Sequence, residues 1–203
     1  MKIAVLGATG NIGSVIVGEA VSRGHEVTGI SRHPEKAKPH AKLTSRQGDV
    51  DDSDAIAKLL TGHDAVISSV RFSSIDAPKL FAALKKAGIK RILVVGGAGS
   101  LYIKPDLQVV DTPDFPAAYK SEALGGRDFL NALSGQKDLS WTFLSPSAEI
   151  MPGQRTGKFR LGLDQLLVGS DGKSWISRED YSVALLDEVE TPKHVQKRFT
   201  VGY

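Results

Sequence analysis

MKIAVLGATGNIGSVIVGEA, residues 1–20, runs from an apolar stretch through three glycines and straight into an amphipathic one. Ile3-Ala4-Val5-Leu6 is short and apolar on both faces, which reads as a buried strand. From Asn11 to about Arg23 the residues Ile12, Val15, Ile16 and Ala20 share one helical face, and Gly24 is a natural stop. Between strand and helix lies Gly7-Ala8-Thr9-Gly10-Asn11-Ile12-Gly13, spaced Gly-x-x-Gly-x-x-Gly. Glycine removes the Cβ that would keep a ligand off the backbone, and the first N–H groups of a helix have no partners of their own. A strand, a glycine turn and a helix N-terminus in that order form a site for a pyrophosphate.

The same alternation continues to about residue 145. Strands are expected at Glu26–Ile30, Leu43–Gln47, Ala65–Ser68, Arg91–Val95 and Trp141–Leu144, with helices at Ser53–Leu60, after the capping residue Asp76, and from Ala117 to Leu133. Doubly apolar strands separated by helices imply α/β, a doubly wound, Rossmann-type parallel sheet with helices on both faces. Gly96 to Pro116 reads as a loop. After Pro146 the pattern breaks into a Gly-rich stretch, followed by a capping box of Ser177 and Asp180 for a helix from Arg178 to about Val189 and a last strand at Arg198–Val201. We read residues 1–203 as a single domain, with 149–203 a small C-terminal region covering the substrate.

The bulk composition narrows the function classes. A formal charge of +3, from 26 basic and 23 acidic residues, gives no dense basic stripe, so no nucleic-acid partner is expected. Zero cysteines exclude disulfides and thiolate chemistry and fit a reducing cytoplasm, the expected location. There is no signal-peptide pattern and no apolar run of the roughly 20 residues that cross a bilayer, so no membrane association is expected. His25, His33, His40, His63 and His194 lack ligand spacing; no metal is expected, and the histidines are read as surface residues. A faint Walker-like stretch at Gly153 to Lys158 is one residue short and follows no strand.

A strand-two carboxylate would hold the 2′-hydroxyl of NAD. Here the strand ends in Ser31-Arg32-His33, and a guanidinium at Arg32 forks onto a 2′-phosphate instead. NADP(H) is therefore the preferred cofactor, with NAD(H) possible. The basic cluster from Arg32 to Lys42 is either a solvated loop or a small phosphate site. Asp49 either faces the adenine or caps the next turn.

The opening glycine motif, Gly48-Asp49-Val50, Gly96-Gly97-Ala98-Gly99-Ser100-Leu101, Trp141 to Pro146, Ile176 to Tyr181 and Arg198 to Tyr203 resemble the atypical short-chain dehydrogenase/reductases known as NADH-flavin reductases. More distantly the chain is similar to flavin reductase/biliverdin-IXβ reductase and to NmrA-like proteins. The resemblance spans essentially the whole chain. It implies a cofactor held by Gly7, Thr9, Gly10, Asn11, Ile12 and Gly13 on the phosphates, Arg32 at the 2′-phosphate, and Asp49 and Val50 at the adenine. It also implies Ser68 and Ser69 by the ribose or nicotinamide, and Pro146 and Ser147 flanking the nicotinamide. Where the flavin and biliverdin reductase carries a Thr-Ser step, this chain has Gly96 and Gly97, with Ser100 nearby but offset.

Alcohol-oxidising members of that superfamily pair a tyrosine with a lysine four residues on. The positions four after Tyr102, Tyr119 and Tyr181 hold Asp106, Ala123 and Leu185, and nothing follows Tyr203 at that spacing. The dyad is absent. Tyr119, Lys120 and Ser100 are the remaining candidates to touch substrate, although Tyr119-Lys120 equally fits an ordinary first helical turn. A flavin-like planar acceptor needs little proton apparatus, because hydride reaching it leaves charge spread over a ring system. The sequence therefore points to hydride transfer to a small planar acceptor, flavin or quinone, with flavin a substrate and not a prosthetic group. Phe72, Tyr102, Phe115, Tyr119 and Met151 are candidate walls for it. An alternative is a nicotinamide-nucleotide sensor with little catalysis, the one reading that calls for a protein partner; a sugar-nucleotide epimerase or dehydratase is weakened by the same missing dyad.

Overall fold

In the computed structural model, which describes residues 1–203, β1 (Lys2–Leu6) passes through the glycine turn into α1 (Gly13–Ser22), and β2 (Glu26–Ser31) returns beside β1. A crossover with only a three-residue turn, Pro34–Lys36, leads to β3 (Leu43–Gln47). Then follow α2 (Ser53–Leu60), β4 (Ala65–Ser68), α3 (Ala77–Lys86) and β5 (Arg91–Val95). A small hairpin, β6 (Tyr102–Lys104) and β7 (Leu107–Gln108), precedes α4 (Ala117–Ser134) and β8 (Ser140–Pro146). The last part holds β9 (Glu149–Met151), β10 (Arg160–Gly162), β11 (Trp175–Ser177), α5 (Arg178–Glu190) and β12 (Lys197–Gly202).

Eight strands join in the order β10-β12-β8-β5-β4-β1-β2-β3, all parallel except β10. Alternation within β1 shows why the strands are apolar on both faces. Ile3 and Val5 enter a core with Ile16 and Ala20 of α1 and Tyr181 and Leu185 of α5. Ala4 and Leu6 point the other way, into a core with Ile56 of α2, Leu84 of α3 and Phe129 of α4. Parallel pairing brings the carboxyl ends of β1, β2, β4, β5 and β8 to one edge. The chain runs outward from β1 through β2 to β3 and then crosses back to β4 on the other side of β1, and a switch point of this kind is where such sheets bind ligands.

Three helices start on side-chain caps: Asp52 accepts from Ala55 N, Asp76 from Lys79 N, and Ser177 from Asp180 N. Only half of the expected capping box at α5 forms. The Asp180 carboxylate turns away to accept from Thr156 N, Gly157 N and the Thr156 and Tyr203 hydroxyls, pinning the loop between β9 and β10. The stretches read as loops hold β6, β7, β9, β10 and β11, each of two or three residues, too short to carry a period.

Of the five histidines, expected at the surface, one is buried and two are half-buried. His25 is buried, with Nε2 2.8 Å from Glu190. His63 bridges Leu60 O and Thr28 Oγ1, and His194 stacks on Phe199 with its Nδ1 2.8 Å from Glu188. Contacts made by tertiary approach, which no spacing rule encodes, draw them in. No helix is long and apolar enough to cross a membrane.

Candidate functional site

Gly7 takes φ +79°, and a Cβ there would stand 2.4 Å from Ser69 O. A Cβ on Gly13 would stand 2.1 Å from Gly7 O, so both glycines are required by the approach of backbone to backbone. Gly10 N donates to Gly7 O at 3.0 Å and closes the turn, while Gly7 N donates to Ile30 O at 2.9 Å and ties it to β2. The helix beyond has Ile12 at its cap position and no side-chain cap. Asn11 and Ile12 N–H have no acceptor within the protein. An uncapped helix with free donors behind a glycine turn suits a phosphate electrostatically, because the helix dipole adds positive charge there.

Next to this loop, Ser31 ends β2 with its hydroxyl buried and without a hydrogen-bond partner. A buried hydroxyl left unsatisfied at a strand end fits a ligand hydroxyl or phosphate oxygen. Arg32 is exposed and has no carboxylate partner. Lys36, Lys38 and His40 line a cleft of about 560 Å³ together with Thr9 and Ser14, which brings the cationic crossover against the glycine loop.

A family model described as NAD(P)H-binding matches residues 7–192 of this sequence. The chain belongs to this NAD(P)H-binding family. It is 38% identical over 211 residues to the uncharacterised protein YwnB of Bacillus subtilis, covering 99% of this chain and 98% of that one. A structure from Bacteroides thetaiotaomicron, provisionally named an epimerase, superposes with a TM-score of 0.94 at 42% identity, covering 100% of this chain and 96% of the other. Another from Streptococcus pneumoniae, provisionally named an NADH-flavin reductase, gives 0.85 at 36% identity, with coverage of 100% and 99%.

The remaining residues expected in the NAD(P)H site fall into two groups. Ser68, Ser69, Gly96 and Gly97 lie where β4 and β5 leave the sheet, level with the glycine loop. Ser69 N donates to Leu6 O, and Gly96 N donates to Leu144 O, so both turns are fixed by neighbouring strands. A Cβ on Gly96 would meet the Phe143 ring at 2.3 Å, whereas nothing lies within 4 Å of the same position on Gly97. The other group is turned inward or along the chain. Asp49 Oδ1 accepts from Asp51 N, the turn-holding role, and Val50 packs on the core around α2. Pro146 and Ser147 are buried, with Ser147 Oγ donating to Val201 O.

On the acceptor side the three candidate side chains are not joined by any hydrogen bond. Tyr119 is 68% exposed at the start of α4, Lys120 is exposed beside it, and Ser100 is 3% exposed with its hydroxyl accepting from Arg198 at 3.0 Å. Of the aromatic candidates, Phe72 is half-buried: it stacks with Phe143 and tilts against Phe129, and Gly125 and Gly126 of α4 leave room for it to pack against the core. Tyr102 and Phe115 are half-buried and Met151 is exposed. Two of the tyrosines have phenols unsuited to proton transfer near neutrality. Burial pushes Tyr181 far up, and burial together with the Asp180 carboxylate raises Tyr203.

Sequence reasoning missed two residues that shape this edge. Glu122 of α4 accepts from Phe72 N at 2.7 Å and Ser73 N at 3.0 Å, and so fixes the segment after β4. Arg198 is the other; a charged residue within an apolar final strand was the signal for it.

Proposed function

We propose that this protein is an NAD(P)H-dependent reductase that passes hydride to a flavin or a flavin-like planar acceptor such as a quinone, with NADPH the preferred donor. The observation that carries the reading is the uncapped start of α1 behind Gly7 and Gly13, beside a strand-two end that offers Arg32 and an unpartnered Ser31 hydroxyl. A nicotinamide held at that edge supplies the hydride. The protein's own residues bind and orient: the glycine loop and Arg32 hold the phosphates, and the Gly96-Gly97 turn leaves space beside the ring.

Carbonyl reduction or epimerisation in this superfamily calls for a phenol of lowered pKa, and Tyr181 and Tyr203 are shifted the opposite way. A planar acceptor makes no such demand, since its charge is delocalised and water supplies the later proton. The flavin is then a substrate that comes and goes. A cytoplasmic place of action accords with the lack of cysteine and with the need for reduced nicotinamide.

Anaerobic oxidation of NADPH with excess FMN, with and without the protein and against a Gly10→Trp variant, tests the reading. Acceleration that disappears in the variant supports a reductase working through the glycine loop. Tight NADPH binding without acceleration of FMN, FAD or a soluble quinone would overturn it in favour of a sensor acting through a protein partner.

A further inference from the structure

Arg198 sits on β12 with its side chain 8% exposed and spends four hydrogen bonds on two chain segments far apart in sequence. Its Nη1 donates to Ser100 O at 2.7 Å and Ser100 Oγ at 3.0 Å, in the turn that follows β5. Its Nε and Nη2 both donate to Asp164 Oδ1, in the segment that follows β10. The same two segments are stitched by backbone: Tyr102 N donates to Asp164 O at 2.8 Å, and Leu166 N donates to Tyr102 O at 2.9 Å. One segment leaves β5 at the carboxyl edge of the sheet; the other leaves β10, which runs antiparallel to β12 and so brings Asp164 back level with Arg198. A planar guanidinium with fixed donor directions is suited to such a fork, where a lysine would be a single point donor.

We infer that Arg198 is a positioning residue that locks the 100–108 hairpin and the 163–166 turn into one wall beside the nicotinamide position, so that it sets acceptor binding without touching the cofactor. This rests on the reductase reading of the site. Ser100 accordingly acts as a strut: its carbonyl and hydroxyl both accept from Arg198, which keeps the turn after Gly97 at one height above β8. Severing the brace loosens the hairpin and the 163–166 turn together, because β10 stays paired with β12 through its backbone while neither of these turns has another side-chain bond to β12.

The test uses Arg198→Met, Arg198→Lys and Asp164→Asn. In Arg198→Met, amide hydrogen exchange is expected to rise in residues 100–108 and 163–166 together. The KM for FMN should rise on the order of tenfold, as loss of orientation implies, while the Kd for NADPH stays within about twofold. Asp164→Asn should loosen only 163–166, and Arg198→Lys should recover part of the KM. Unchanged exchange in both segments, or equal losses in acceptor and cofactor binding, would overturn the inference. If the wild type reduces no acceptor, the reductase reading falls on its own, and the paired rise in exchange still decides whether Arg198 couples the two segments.

Discussion

Arg155 of the covering loop lays two nitrogens on Glu19 of α1, each 2.8 Å from a carboxylate oxygen. Glu19 is buried, and Arg23 one helical turn later also donates to it at 2.7 Å. The helix that follows the glycine turn is thereby fastened to the loop between β9 and β10. Arg155 itself is 55% exposed, so its removal is expected to cost little in stability, within about 1 kcal/mol, because a solvent-exposed partner is screened. Proteolysis of residues 152–159 should nevertheless accelerate in Arg155→Ala. Thermal denaturation and limited digestion of the same sample separate the two effects.

The pH dependence has a definite sign. Arg155 holds the Glu19 carboxyl below its ordinary value against the opposing effect of burial. Burial likewise opposes ionisation of Asp180, but the donors from Thr156, Tyr203 and Gly157 prevail and its pKa is lowered too. Carboxyls with depressed pKa lend stability that is complete above the unfolded value, about 4, and is lost as pH falls through the folded one. Acid titration of unfolding should therefore show a loss that begins below about pH 4–5. In Asp180→Asn and Glu19→Gln that acid-dependent part should shrink; an unaltered pH slope in both variants would contradict the assignment.

On the proposed reading, cofactor preference turns on Arg32. A charge-assisted contact with a phosphate contributes about 1.5–3 kcal/mol, so Arg32→Ala should weaken NADPH binding by roughly tenfold to a hundredfold and leave NADH nearly unchanged. Titration of both cofactors by nicotinamide fluorescence measures this. Equal weakening of the two would remove Arg32 from the 2′-phosphate.

Gly13→Ala places a methyl group 2.1 Å from Gly7 O, and the obstructing atom is backbone. The turn must shift, so both NADPH and NADH binding should fall by about tenfold or more, with a loss of stability on the order of 1–3 kcal/mol. Gly18→Ala, with nothing within 4 Å of the added carbon on the same helix, is the matched control and should raise stability slightly.

Most of the central sheet was legible because its strands are apolar on both faces and its helices carry a clear period and caps such as Asp76. The glycine loop was legible for the same reason: Gly7 and Gly13 answer a local steric demand that shows in local sequence. The acceptor side was not. Ser100 was a candidate to touch substrate, yet Arg198, nearly a hundred residues away, donates to its hydroxyl, and Phe72, a candidate wall, packs half-buried against the core where Gly125 and Gly126 leave it room. His25, His63 and His194 escaped for a related reason, since their partners are set by tertiary approach. Asp180 was read as half of a local box, yet its carboxylate serves a loop more than twenty residues earlier.

The crossover from β2 to β3 contains no α-helix, and none of residues 32–42 is buried. Substitutions there disturb neither core, so this segment can change its chemistry at almost no cost to folding. On the proposed reading, the residues that would distinguish one nicotinamide donor from another sit on the part of the molecule freest to vary, while the glycine loop beside them is held by backbone contacts. A descendant could exchange its electron source by altering a few loop residues and keep the rest of the protein intact.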